Sequence, residues 1–245
     1  MLNHRSIRKY KPDPIPHQIL DYILEAGTRA STTGNMQLYS IVVTTEAGIK
    51  EELSPCHFNQ GMVKEAPVVL TFCADFNRFN KWCEQRRAEP GYDNFLSFMT
   101  AAIDALLVAQ NVCVAAEDAG LGICYLGTTT YMAGKIIEIL DLPKGVVPVT
   151  TVTVGYPDEW PELTDRLPLD AVVHREKYQD FSETDIDSHY REKELMAIYQ
   201  AFVKEHDKET LAQVFTDVRY KKEDNVLFSK SLLDVLAKQG FMNHP

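Results

Sequence analysis

A cationic cluster opens this chain. His4, Arg5, Arg8, Lys9 and Lys11 fall within the segment HRSIRKYKPDPIP (4–16), although the formal net charge of all 245 residues is -10. His4, Ser6 and Arg8 alternate, so an extended backbone would direct the three side chains to one side. A guanidinium offers a two-pronged fork to a phosphate and a serine hydroxyl adds a neutral donor, so this trio has the chemistry of an anion site. The same residues would equally make a solvated basic arm.

Two further groups have donor chemistry. STTGNMQ (31–37) offers hydroxyls, an amide and a glycine, which can present donors to a polar ligand or form a turn that stops a helix near Gly34. NQGMV (59–63) adds the amides of Asn59 and Gln60. In GLGICYLGTT (120–129) the G-x-G-x-x-G spacing of a dinucleotide fingerprint is absent, and the glycines follow a helical pattern. A helix stop is their default reading, while Gly127 would let the backbone approach a flat ligand closely.

Other chemistries find no support. There is no G-x-S-x-G elbow, Walker loop or H-E-x-x-H pair. The five cysteines are odd in number, scattered and never spaced C-x-x-C, which points to free thiols rather than a zinc site or a disulfide framework. Asp104, inside a very apolar segment, reads as a hydrogen-bonded structural acid. No catalytic side chain and no metal site are expected, and enzymes with no evident acid, base or nucleophile often rely on a bound cofactor for their chemistry. A pI near 5.2 argues against nucleic acid as a partner. The opening lacks a secretory apolar run and no stretch reads as a membrane span, so a cytoplasmic location is expected.

The elements that must position these residues alternate in type. Helical spacing marks 16–30, and strands are expected at 38–45, 66–75 and 146–157, with 123–130 as a strand or tight turn. Phe95–Gly122 is apolar nearly all round, as in a buried helix ended by Gly120 or Gly122. From Ser182 the chain becomes charged and helical in pattern. The expectation is an α+β (α/β-like) fold with a mixed central sheet surrounded by helices. A core over 1–180 and a helical C-terminal extension over 181–245 divide the chain.

Taken together, HRSIRKY (4–10), PDPIPHQILDYILEAGTRASTTGNMQ (12–37), FCADFNR (72–78), GLGICYLG (120–127), VGYP (154–157) and RLPLDAVVHREKY (166–178) resemble the FMN-dependent nitroreductase family, in its NADPH nitroreductase/flavin reductase branch. The resemblance spans Asn3 to Tyr178. It implies FMN as cofactor, NADPH or NADH as electron donor, an interlocked homodimer with the flavin at the subunit interface, and a small-molecule acceptor such as a nitroaromatic, a quinone or free flavin, reduced by two-electron ping-pong hydride transfer. It assigns His4, Arg5, Ser6 and Arg8 to the FMN phosphate and ribityl chain. Thr32, Thr33 and Gln37 would face the ribityl and ring, Gln60 the pyrimidine edge, and Tyr125, Leu126 and Gly127 the ring itself. Arg166 would be a further phosphate ligand. The branch carries a lysine two residues before that arginine, where this chain has Thr164. Alternatives are another flavin enzyme on the same fold (a dehalogenase or a flavin-cleaving enzyme), or a non-enzymatic binding protein with a basic arm. Lys204, His206, Lys208 and Arg219–Lys222 are candidates for recognising the extra phosphate of NADPH.

Overall fold

The structure is a computed structural model that describes residues 1–244. It divides into two units, one comprising Met1–Glu162 with Phe228–Pro245 and the other Leu163–Leu227.

The first unit is built on a four-stranded sheet. Strands β1 (Tyr39–Thr44), β2 (Val68–Asp75), β3 (Gly122–Leu126) and β4 (Val146–Gly155) lie in the order β1-β2-β4-β3. β2 is central and buried along its whole length, which explains its unbroken apolar sequence. All strand pairs are antiparallel. The parallel pairing expected of a mixed sheet is confined, among the described residues, to a bridge between Ser6 and Ile123, where the N-terminal arm runs beside β3. Pro148 has no N–H to donate, and the register slips beside it: Phe72 pairs with Thr150 but Cys73 with Pro148.

Helices cover this sheet. Helix α1 (His17–Thr28) follows Pro16, and short helices α2 (Ala47–Leu53), α3 (Met62–Glu65) and α4 (Asn77–Gln85) precede the long α5 (Phe95–Asp118). Asn94 caps α5 by accepting from Ser97 N at 3.0 Å, and Gly120 ends it at φ +78°. Ala105, Val108, Ala109, Val112 and Ala116 of α5 are buried against α1 and the sheet. The approach to α1 is close: a Cβ on Gly27 would lie 2.3 Å from Val112 Cγ2.

The reading of α5 as buried all round holds for one face only. By length and composition it could cross a membrane, with mean hydropathy 1.6, yet just 50% of that apolar window is buried. Leu96, Met99, Ile103, Leu106 and Leu107 are exposed and recur at three- and four-residue intervals along the other face. Helix α6 (Ala133–Ile139) packs on a further core that also receives Ile7 and Tyr10 of the arm, Leu53, Val63, Cys124 and Leu126. All five cysteines are free and buried.

In the second unit, α7 (Glu183–Leu195) opens with a Ser182–Asp185 capping box and α8 (Ala197–Glu205) follows a break at Met196. Helix α9 (Leu211–Val214) runs into a π turn at Phe215–Arg219, and α10 (Lys222–Gln239) belongs to the first unit from Phe228 onward. The division of the chain into units falls at Leu163 and again at Phe228. Residues after Leu163 are tied to α7 and α8: Asp165 accepts from Lys193 Nζ at 2.7 Å and from the Tyr199 hydroxyl, and Phe181 packs edge-on to His189.

Candidate functional site

The N-terminal arm is held to the sheet by its backbone. Ile7 N donates to Ile123 O at 2.9 Å, and Lys11 N to Tyr156 O at 2.9 Å. Ile7 is buried over Gly122, where a Cβ would come 2.7 Å from the Ile7 side chain, so only glycine lets the arm lie this close. Tyr10 locks the far end, its hydroxyl 2.8 Å from Thr153 Oγ1 and 2.7 Å from Ile7 O, and burial pushes its phenol well above the ordinary range.

The arm's side chains do not all share one face. His4 pairs with Glu117 at the end of α5. Arg5 Nε donates to Pro161 O at 2.8 Å and its guanidinium stacks on Trp160 at 4.9 Å. His4 and Arg5 line one cavity of about 710 Å³ with Glu117, Asp118 and Trp160, whereas Ser6 and Arg8 lie outside it. His4 leaves the side shared by Ser6 and Arg8 because the extended, bridged backbone starts only at Ser6; before it, His4 N closes a turn onto Met1 O. Glu159 takes the N–H groups of Arg8 at 2.6 Å and Lys9 at 3.1 Å. The Arg8 guanidinium is exposed and has no hydrogen-bond or ion-pair partner among the described residues.

The 31–37 loop is anchored from below. Asp104, buried in α5, accepts from Thr33 N at 2.9 Å, Thr33 Oγ1 at 3.2 Å and Leu38 N at 3.2 Å. Gly34, Asn35 and Gln37 all have φ +55°, so the loop is tightly wound. Gln37 and Thr33 are exposed and Thr32 half-buried, while Arg78 donates to Gln37 O.

Two other segments meet through one histidine. His57 is fully buried. Its carbonyl accepts from Gln60 N at 3.2 Å and Gln60 Nε2 at 3.0 Å, and its Nδ1 lies 2.8 Å from Thr128 Oγ1. Burial holds the ring's pKa down to about 4. Leu126 is buried and Tyr125 half-buried in the cores on opposite sides of β3. Gly127 beyond them is exposed, with open space where a Cβ would stand. This stretch can therefore offer backbone and the Thr128 hydroxyl rather than the Tyr125 and Leu126 side chains.

The structure thus sets Ser6 and Arg8 beside β3 and links Gln60 to Thr128 only through His57, while Arg5 turns with His4 toward the cavity beside Glu117. Arg166 lies in the second unit, exposed, its guanidinium donating to Asp165 O at 2.8 Å and Thr164 O at 3.2 Å. His57, Thr128, Glu117 and Glu159 carry no sequence signal, because their partners lie up to 151 residues away. Chemically, the free Arg8 guanidinium and the Ser6 hydroxyl suit an anionic group, and the open backbone at Gly127 suits the close approach of a flat one.

A four-stranded antiparallel sheet covered by helices, with donors for such a ligand along its edge, defines an α+β ligand-binding protein. The chain belongs to the nitroreductase family, whose model matches residues 1–156. It is similar to an FMN reductase (NADPH) of Bacillus subtilis, 35% identical over 205 residues that cover 79% of this chain and 82% of the relative. A crystal structure from Bacteroides fragilis, provisionally described as an oxidoreductase, is 58% identical with TM-score 0.98, covering 99% of this chain and 98% of that one. The NADPH:FMN oxidoreductase of Vibrio harveyi, solved with NAD+, is 30% identical with TM-score 0.84, covering 99% and 97% of the two chains.

Proposed function

We propose that this chain is an FMN-dependent NAD(P)H oxidoreductase acting on small-molecule electron acceptors. The observation that carries the reading is the unpartnered Arg8 guanidinium on an arm clamped to β3, in a chain of this family. Arg8 and Ser6 would hold the FMN phosphate and ribityl chain, with Arg5 and His4 at its flank. Thr32, Thr33 and Gln37 would line the ribityl side, and the Gln60 amide and Gly127 N–H the polar edge of the ring. Glu117 already pairs with His4, and Glu159 takes the backbone N–H groups of Arg8 and Lys9, so the Arg8 guanidinium itself stays available for the phosphate.

When bound, FMN supplies hydride transfer between a nicotinamide donor and an acceptor such as a nitroaromatic, a quinone or free flavin. The chain's own groups orient the ring and present donors to its electron-rich edge, with no titrating residue required. The exposed apolar face of α5 supports a homodimer, since five large apolar side chains on one helix face are a surface a second copy would bury. Five reduced, buried cysteines support a cytoplasmic location.

The test is a visible absorption spectrum of the purified protein with and without added FMN, followed by anaerobic NADPH and then NADH. A flavin band that bleaches with a donor supports the reading, and relative rates choose the donor. A colourless protein that takes up no FMN refutes it. Arg8→Ala should empty the site while leaving the fold intact.

A further inference from the structure

Among the described residues, His57 is the buried ionisable side chain placed between two segments of the candidate site that the proposed function does not use. Its main chain holds Gln60 through both the backbone and side-chain nitrogens, and its ring touches Thr128, the residue after the open Gly127. The other ring nitrogen, Nε2, is buried without a hydrogen-bond partner. Thr128 Oγ1 has no hydrogen-bond partner other than His57 among the described residues.

These facts select a tautomer. Burial keeps the ring neutral, so one nitrogen carries a proton and the other a lone pair. If Thr128 donated to Nδ1, the proton would sit on Nε2 and a buried N–H would go unmet. If Nδ1–H donates to Thr128, only a lone pair is left unmet, and buried unmatched N–H groups are the rarer and costlier case. The second arrangement therefore prevails. It makes Thr128 Oγ1 an acceptor toward the protein and leaves its hydroxyl proton without an acceptor of the chain's own.

We infer that the Thr128 hydroxyl donates a hydrogen bond to an acceptor atom on the polar edge of the bound flavin ring, and that His57 is the positioning residue that fixes this donor direction while holding Gln60 at the same edge. The inference rests on the proposed FMN site and adds a donor pair to it. His57 touches neither cofactor nor substrate. It acts through the two groups it orients, and its neutral ring is what allows one side to donate and the other to stay dry.

The experiment compares FMN dissociation constants and flavin midpoint potentials of four proteins. Thr128→Val keeps the shape and removes the hydroxyl; about a tenfold rise in the FMN dissociation constant is expected, roughly 1.4 kcal/mol. The midpoint potential should also fall, because a donor at the electron-rich edge favours the reduced ring. His57→Asn places an amide where Nδ1 stood and should stay close to the unmodified protein. His57→Gln places it where Nε2 stood and should behave like Thr128→Val. Combining His57→Gln with Thr128→Val should cost no more than either alone, as for partners in one interaction.

A purely structural histidine would move the melting temperature with Asn and Gln alike and leave the potential unchanged; that result overturns the inference. So does a Thr128→Val protein whose FMN affinity and potential match the unmodified one, and this variant keeps the test open if a His57 variant fails to fold. If the unmodified protein takes up no FMN, the proposed function itself falls and this inference with it.

Discussion

Asp104→Ala tests whether the 31–37 loop is held from beneath by one buried carboxylate. Three donors converge on that group: two from Thr33, which is exposed, and the backbone N–H of Leu38, which is fully buried. Water can replace Asp104 at the Thr33 donors, so their loss costs about 1 kcal/mol each at most. Leu38 N–H cannot reach water, and leaving it unmatched costs about 1–3 kcal/mol. Relief of the desolvated carboxylate offsets part of the sum. The expected net loss is about 3 kcal/mol, with Asp104→Asn near 2 because its NH₂ must face a donor on one side. Urea unfolding followed by far-UV circular dichroism measures this, at equal protomer concentration and without FMN, since a bound ligand shifts the apparent value. FMN affinity should fall in parallel as Thr32, Thr33 and Gln37 lose their support. A loss under about 1 kcal/mol in Asp104→Ala would show that Leu38 N–H finds another partner, and the anchoring argument would be wrong.

Three other outcomes are expected. Gly122→Ala drives a methyl to 2.7 Å from Ile7, so the arm should lift from β3 and FMN affinity drop at least about tenfold with a melting temperature lowered by a few degrees; unchanged affinity would separate the arm from the cofactor. The pH dependence of stability should show His57: its folded pKa is depressed from 6.5 to about 4, so the unfolded chain binds the extra proton between these values. Stability is then full above about pH 6.5 and falls by up to about 3 kcal/mol as pH drops to 4, a slope that should be missing in His57→Asn. Finally, Leu106→Glu on the exposed face of α5 should convert a dimer to monomers in sedimentation velocity, and a dimer unaffected by that charge would place the interface elsewhere.

Much of the fold is legible in the amino-acid order because its signals are local. The unbroken apolar run of β2 announces a strand, and Gly120 marks the end of the apolar α5. The family resemblance is likewise carried by short motifs in order, and residues 1–156 match the family model. The chemistry of the arm is written in residue types, since arginine and serine bring their donors wherever they are placed.

What remained for the tertiary structure is everything that depends on partners far apart in the chain. Alternation placed His4, Ser6 and Arg8 together, but a turn before Ser6 sends His4 to Glu117, 113 residues on, and only the folded arm leaves Arg8 free. The apolar α5 reads as buried on all sides, yet packing against α1 and the sheet consumes one face and leaves Leu96 to Leu107 with an exposed stripe. His57 sits in the sequence like any other dispersed histidine. It gains meaning from a hydroxyl 71 residues away at 2.8 Å and from burial that keeps it neutral, neither of which a local pattern can encode. Sequence determines which donors and apolar faces exist; the closing of the chain on itself decides which are spent on one another and which are left for a ligand or a second copy.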